Sequence, residues 1–280
     1  ALGGSCRKSV NFNSKISKMK SRRKFIRNAA LGSAALAAAP ALSFGANGGA
    51  RLKDFGYISG ILGNEFDKYH WKDVLKKSVE FGFTEYEGGL KGDSPKEFLS
   101  YCKEIGLKPV AGGIKMTEDM DKVQQDFDEL NELNMKYAVT YWPWLVGTPF
   151  KLDNCKKSSE LLNKIGEKAK KNDLTLCWHN HDHEFKEMEQ GKPFDYLMQH
   201  TDEDLVFCEM DIYWVAKGGA DPLEYLKKYD GRYKILHVKD MDDDVDKTFI
   251  CPGSGIIDFG PIFKEAKKQG IDHYMVERDK

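Results

Sequence analysis

Three histidines fall within five positions in the run Cys177-Trp178-His179-Asn180-His181-Asp182-His183. Three further runs end in groups of the same kind: Glu209-Met210-Asp211, Leu236-His237-Val238-Lys239-Asp240 and Val276-Glu277-Arg278-Asp279. Each ends a strand-like stretch and carries imidazole or carboxylate groups. Imidazole and carboxylate groups delivered from successive strand ends would converge on one divalent cation, and a cation so held polarises a carbonyl. A lone histidine is most often solvated or packed in a core, and His70, His200 and His273 are read that way. Cys177 and Cys208 sit inside apolar runs and are read as buried thiols, within a scattered cysteine set that shows no CxxC pair.

The surrounding pattern must bring these runs together. From Asp54 onward, β-like and helix-like segments alternate. Strands are expected at 55–60, 84–88, 107–113, 137–142, 174–179, 205–212, 234–238 and 273–277. Helices are expected at 71–81, 95–105, 118–133, 155–171, 193–200, 222–229 and 259–268. Ser94-Pro95, Thr117 before Glu118, Asp221-Pro222 and Gly260-Pro261 mark helix starts, while Gly82, Gly106 and Gly270 follow helix ends. Eight β/α alternations predict a closed (β/α)8 TIM barrel of the α/β class. The glycine-rich stretch from Gly56 to Gly63 lacks the dinucleotide spacing that would favour an open doubly wound sheet. An eighth helix would begin just past Glu277, where the sequence given stops, so the barrel is expected to lack it. In such a barrel the C-terminal strand ends face the mouth, and the four runs end strands five to eight.

Composition narrows the function. Residues 1–50 carry nine Lys or Arg and no acid, which leaves 34 basic and 44 acidic residues in 51–280, a formal charge of −10. A body this acidic repels phosphate backbones, so no nucleic-acid partner is expected. Ser21-Arg22-Arg23-Lys24-Phe25-Ile26, the alanine-rich stretch 29–39 and Ala41-Leu42-Ser43 together read as a twin-arginine export signal. The stretch is too short and too weakly apolar for a stable membrane span. The chain is therefore divided into 1–50, an upstream segment plus export signal, and 51–280, the barrel. Met19 stands where an initiator would be expected, which sets residues 1–18 apart. The location implied is periplasmic or envelope-tethered.

The motifs His179-Asn180-His181-Asp182-His183-Glu184-Phe185, Glu209-Met210-Asp211-Ile212-Tyr213-Trp214, His237-Val238-Lys239-Asp240-Met241 and 253–259 (GSGIIDF) resemble the xylose isomerase-like TIM barrel family, in its sugar phosphate isomerase/epimerase group. The resemblance runs from about residue 51 to the end. It implies one divalent metal ion (manganese, zinc, cobalt or magnesium) held by groups from strands five to eight. Carried over, Asp211, His237 and Glu277 match the last three ligands. Where many members place a glutamate at the end of strand five, this chain has His179-Asn180-His181. His179 takes the carboxylate's place in the pattern, with His181 or Glu209 as alternative metal or substrate groups.

Ketose epimerases of the group use two metal-bound glutamates on opposite faces of the substrate, and histidine at one position breaks that pair. Glu277 is then the expected lead acid/base, with Glu184 and Lys239 as further catalytic candidates and Glu87, Trp142, Trp214 and Arg278 as substrate contacts. The implied function is a carbohydrate isomerase/epimerase working by proton abstraction beside a sugar carbonyl through an enediolate. The alternatives are a keto-glycoside lyase or hydrolase using the same site, and an exported sugar-binding barrel without catalysis. The expected partner is a small-molecule sugar or keto-glycoside, and homo-oligomerisation is left open.

Overall fold

The computed structural model describes residues 52, 54–145 and 151–278. Eight strands close a barrel: β1 (Gly56–Ile58), β2 (Glu85–Glu87), β3 (Lys108–Gly113), β4 (Tyr137–Thr140), β5 (Thr175–His179), β6 (Val206–Asp211), β7 (Tyr233–Val238) and β10 (His273–Val276). Every neighbouring pair is parallel, and β10 closes the ring against β1. This is the (β/α)8 architecture expected from the sequence. β8 (Asp240–Met241) and β9 (Phe249–Ile250) form an antiparallel hairpin in the loop after β7, which the alternation of longer segments did not reveal.

Helices occupy the connections: α1 (Gly63–Lys68), α2 (Trp71–Glu80), α3 (Pro95–Ile105), α4 (Met120–Glu132), α5 (Leu152–Lys171), α6 (Pro193–His200), α7 (Ile212–Lys217), α8 (Pro222–Lys228) and α9 (Phe259–Lys268). Local chemistry fixes their ends. The Ser94 hydroxyl accepts from the Glu97 N–H to start α3, and Gly106, at φ 76°, stops it in a left-handed conformation. On α4, Val123, Phe127 and Leu130 share one face and are buried. The short helix α7 departs from the reading of 205–212 as strand. Asp211 accepts from the Trp214 N–H at 2.9 Å, so its side chain caps a helix where the apolar run alone suggested more strand.

Strand alternation sorts the core into two parts. Trp178, Met210, Leu236, Val238 and Tyr274 face outward into the large cluster between strands and helices. Cys177, Ile235 and Met275, each two residues before a strand-end group, pack with Val110, Ala111 and Val139 in a separate small cluster. That cluster is the apolar floor on which the strand-end groups stand.

Cys102, Cys155, Cys177 and Cys208 are buried free thiols. Cys251 is disulfide-bonded, so the reading of free thiols does not extend to it. No helix among the described residues is long and apolar enough to cross a membrane. The twin-arginine segment lies outside the described residues, and beyond Val276 only Glu277 and Arg278 are described, so the expectation about an eighth helix falls outside them too.

Candidate active site

Register places the strand-end groups. His179 at the end of β5 pairs with Glu209 on β6, and Asp211, two residues on, pairs with His237 on β7. His237 also pairs with Met275 on β10, and the Glu277 N–H then bonds the Val238 carbonyl at 3.2 Å. One atom from each of His179, Asp211, His237 and Glu277 lies within 4.8 Å of the other three. The same separation holds for a second group, Glu87, Glu209 and His237. His237 belongs to both.

The contacts are specific. His179 Nδ1 lies 2.9 Å from Glu209 Oε1, and His179 Nε2 lies 3.8 Å from Asp211 Oδ2. His237 Nδ1 lies 2.9 Å from Glu277 Oε2, while its Nε2 is 3.0 Å from both Glu209 Oε1 and Glu87 Oε2. The Tyr141 hydroxyl donates to Glu87 Oε1 at 2.5 Å. Asn180 ties β5 to β6: its amide donates to the Asp211 carbonyl at 3.2 Å and its Oδ1 accepts from the Asp211 N–H at 3.0 Å. His179, Glu87, Glu209, Asp211 and His237 are buried, and the Glu277 side chain keeps 15% of its surface open to solvent. Glu277 therefore borders the accessible mouth.

Burial sets the electrostatics. It pushes the Glu209 carboxyl up to about 8, reinforced by the charge of Glu87, and the Asp211 carboxyl up to about 8 against the pull of Lys239. It also holds His179 well below the usual imidazole range, with His237 adding to the effect. At His237 burial opposes charge, but the carboxylates of Glu209 and Glu87 outweigh it and raise the imidazole. Burial disfavours an ionised Glu277 as well; the hydrogen bond and charge of His237 outweigh it and lower the carboxyl. Glu277 is thus held as a carboxylate.

The residues fit a divalent cation. Among the described residues Asp211 Oδ2 is buried with no hydrogen-bond partner, and a buried carboxylate oxygen left without one is costly. Two imidazoles and two carboxylates are a donor set suited to zinc, cobalt, manganese or iron. The atoms facing one another, His179 Nε2, Asp211 Oδ2, His237 Nδ1 and Glu277 Oε2, are those that would hold the ion.

The remaining predicted residues fall around this cluster. Lys239 is fully buried, its ammonium 4.6 Å from the Trp214 ring centre, 5.1 Å from Tyr213 and 5.5 Å from Phe249. His181 sits beside His179, Trp142 and Trp214 with ring centres 5.0, 5.4 and 5.3 Å away. Trp142 is 38% exposed, and Arg278 is an exposed residue whose guanidinium lies 5.9 Å from the Phe249 ring. Glu184 is not in the cluster. Its two oxygens accept from Trp144 Nε1 at 2.7 Å and from the His181 N–H at 2.9 Å, which makes it a brace under the histidine corner. Tyr141 and Phe249 were missed as site residues. Neither carries a sequence signature: Tyr141 reads as the end of a strand, and Phe249 belongs to the short hairpin.

A closed parallel barrel with imidazole and carboxylate groups gathered at its C-terminal strand ends defines a class of barrel enzymes that work at the mouth. Within that class the chain belongs to the xylose isomerase-like TIM barrel family, whose profile matches residues 75–278. It is 34% identical over 249 residues to the inosose dehydratase of Clostridium perfringens strain ATCC 13124, covering 78% of each chain. The solved structure of a sugar phosphate isomerase/epimerase from Parabacteroides distasonis ATCC 8503 is 25% identical, with a TM-score of 0.69 over 85% of this chain and 90% of that one. An IolI protein solved with a bound zinc atom shares the fold at 17% identity, with a TM-score of 0.64 over 80% of this chain and 88% of that one.

Proposed function

We propose that the protein is a metal-dependent enzyme that removes a proton beside the carbonyl of a sugar or keto-polyol, and that elimination of a β-substituent follows. The observation that carries this reading is the convergence of His179, Asp211, His237 and Glu277, with Glu277 the one of the four that reaches the open mouth. A bound divalent ion would supply polarisation of the substrate carbonyl.

The chain's own groups account for the proton. The Glu277 carboxylate takes hydrogen from the carbon beside the carbonyl, and the electron pair of that C–H bond moves onto the carbonyl oxygen. Return of the pair restores the carbonyl, forms the carbon–carbon double bond and breaks the bond to a hydroxyl on the next carbon, which leaves as water with the proton that Glu277 took. In this reading Lys239, whose ammonium lies 4.6 Å from the Trp214 ring centre, would donate to a substrate oxygen, and Trp142 and Trp214, which flank His181, would meet the apolar face of a sugar ring.

The dehydratase description of the Clostridium relative supports elimination. So does the histidine at the end of β5, because an epimerase needs proton carriers on both faces. Isomerisation or epimerisation is the second reading, supported by the description of the Parabacteroides structure. NMR of the products from a panel of keto-polyols and keto-glycosides separates the two. New alkene signals, or the new methylene and second carbonyl to which an enol product tautomerises, are expected; an inverted or rearranged sugar that retains all its hydroxyl groups would replace elimination by the second reading. The twin-arginine motif supports a working place outside the cytoplasm.

A further inference from the structure

We infer that Glu209 is a positioning residue rather than a metal ligand: one of its oxygens orients both histidines of the cluster. This rests on reading the cluster as a metal centre. Glu209 Oε1 stands 2.9 Å from His179 Nδ1 and 3.0 Å from His237 Nε2, so a single oxygen meets one nitrogen of each ring. The rings lie 4.7 Å apart at 69°, an arrangement in which both can address one acceptor. Each histidine then turns its other nitrogen to the opposite side. His179 Nε2 faces Asp211 Oδ2 at 3.8 Å, and His237 Nδ1 faces Glu277 Oε2 at 2.9 Å. A metal-binding imidazole nearly always donates its second N–H to a carboxylate or carbonyl, which fixes tautomer and ring orientation. Here one carboxylate does this for two ligands.

Several observations point the same way. Glu209 is fully buried on the strand that carries Asp211, and its register partner is His179, so the β5–β6 ladder itself aims it at the first ring. Glu87 supports the second ring: its Oε2 is 3.0 Å from the same His237 Nε2, and its Oε1 is held by Tyr141. The two glutamates therefore lie on the face of His237 opposite Glu277. Among the described residues Glu209 Oε2 has no hydrogen-bond partner; the Oε1 contacts perform the positioning. Substitutions at Glu209 should accordingly weaken metal binding without removing a ligand.

The test is titration of the metal-stripped full chain with cobalt(II), read by its visible absorption, together with ring nitrogen NMR of the metal-free protein. Wild type is expected to bind about one equivalent. E209L is expected to keep that stoichiometry with affinity lowered about 10- to 100-fold. E209Q, whose amide oxygen still accepts from both rings, should recover most of the loss. The D211A control should abolish binding. NMR should show His179 protonated at Nδ1 in wild type and E209Q, and a changed tautomer population in E209L.

Wild-type affinity in E209L would overturn the inference, as would complete loss in both E209L and E209Q matching D211A, which would make Glu209 a direct ligand. Two equivalents in wild type falling to one in E209L would assign Glu209 to a second metal site instead. Absence of cobalt binding by wild type is a separate result, because it removes the metal reading itself. Should E209L fail to fold, E209Q with the NMR readout still decides: a His179 proton away from Nδ1 in wild type contradicts the assignment.

Discussion

At the scale of single residues, the site separates groups that face the mouth from groups that hold them. Asp211 is buried among the holding groups: one oxygen caps α7 through the Trp214 N–H, and the other, with no hydrogen-bond partner among the described residues, would meet the proposed cation. Asp211→Ala should reduce metal content from about one equivalent to trace in elemental analysis, because a four-donor site loses a charged donor; unchanged content would contradict the cluster's role. Glu184 offers a test of electrostatics away from the metal. Burial pushes its carboxyl from 4.5 up to about 7, against the lowering effect of its Trp144 hydrogen bond. A carboxyl raised in the folded state binds its proton more tightly there than in the unfolded chain. Its stabilising contribution is therefore complete below about pH 4.5 and is lost as pH rises towards 7. Urea unfolding of the chelator-treated protein should show wild type losing on the order of 3 kcal/mol relative to Glu184→Gln across that window. A difference independent of pH would show that Glu184 does not titrate as its burial implies.

At the scale of elements, strand ends and loops position the chemistry. The loop after β7 is organised by Asp240, whose carboxylate accepts from the N–H groups of Met241, Gly253, Gly255 and Ile257 at 2.8–3.2 Å. Asp240→Ala leaves those donors without their acceptor and should cost at least about 2 kcal/mol. Gly255 packs so close that a β-carbon would collide with the Met241 carbonyl and the Asp240 carboxylate. Gly255→Ala should therefore destabilise by about 1–3 kcal/mol, measurable as a lowered thermal midpoint; an unchanged midpoint would show that the loop yields. Most of this frame was legible in the sequence. β/α alternation, helix-start residues and glycine stops recovered all eight barrel strands, because each signal is local. The four-group cluster was legible because its members end strands whose order the barrel fixes. What escaped depends on distant pairing: the hairpin of β8 and β9, the capping of α7 by Asp211, the Tyr141 contact to Glu87 across 54 residues, and the sharing of Glu209 by two rings. Glu184 was legible as an acid near the histidines, yet its partner Trp144 is 40 residues away, and only the fold shows that both oxygens are taken.

At the scale of the whole molecule, an acidic barrel that carries its reactive groups at one end suits a small neutral polyol better than a polyanion. The proposed export signal at the N-terminus belongs to this scale as well. Replacing Arg22 and Arg23 by Lys is expected to retain the protein in the cytoplasmic fraction, and unaltered fractionation would remove the export reading. Abstraction of a proton beside a carbonyl by Glu277, proposed for the cluster of His179, Asp211, His237 and Glu277, is tested most directly by solvent exchange. Metal-loaded wild type incubated with keto-polyols in deuterated water should place deuterium on the carbon beside the carbonyl, or eliminate water across it, and Glu277→Gln should lower that rate by at least about 100-fold. Wild-type exchange persisting undiminished in Glu277→Gln, or no exchange and no elimination from any keto-substrate that binds, would contradict it.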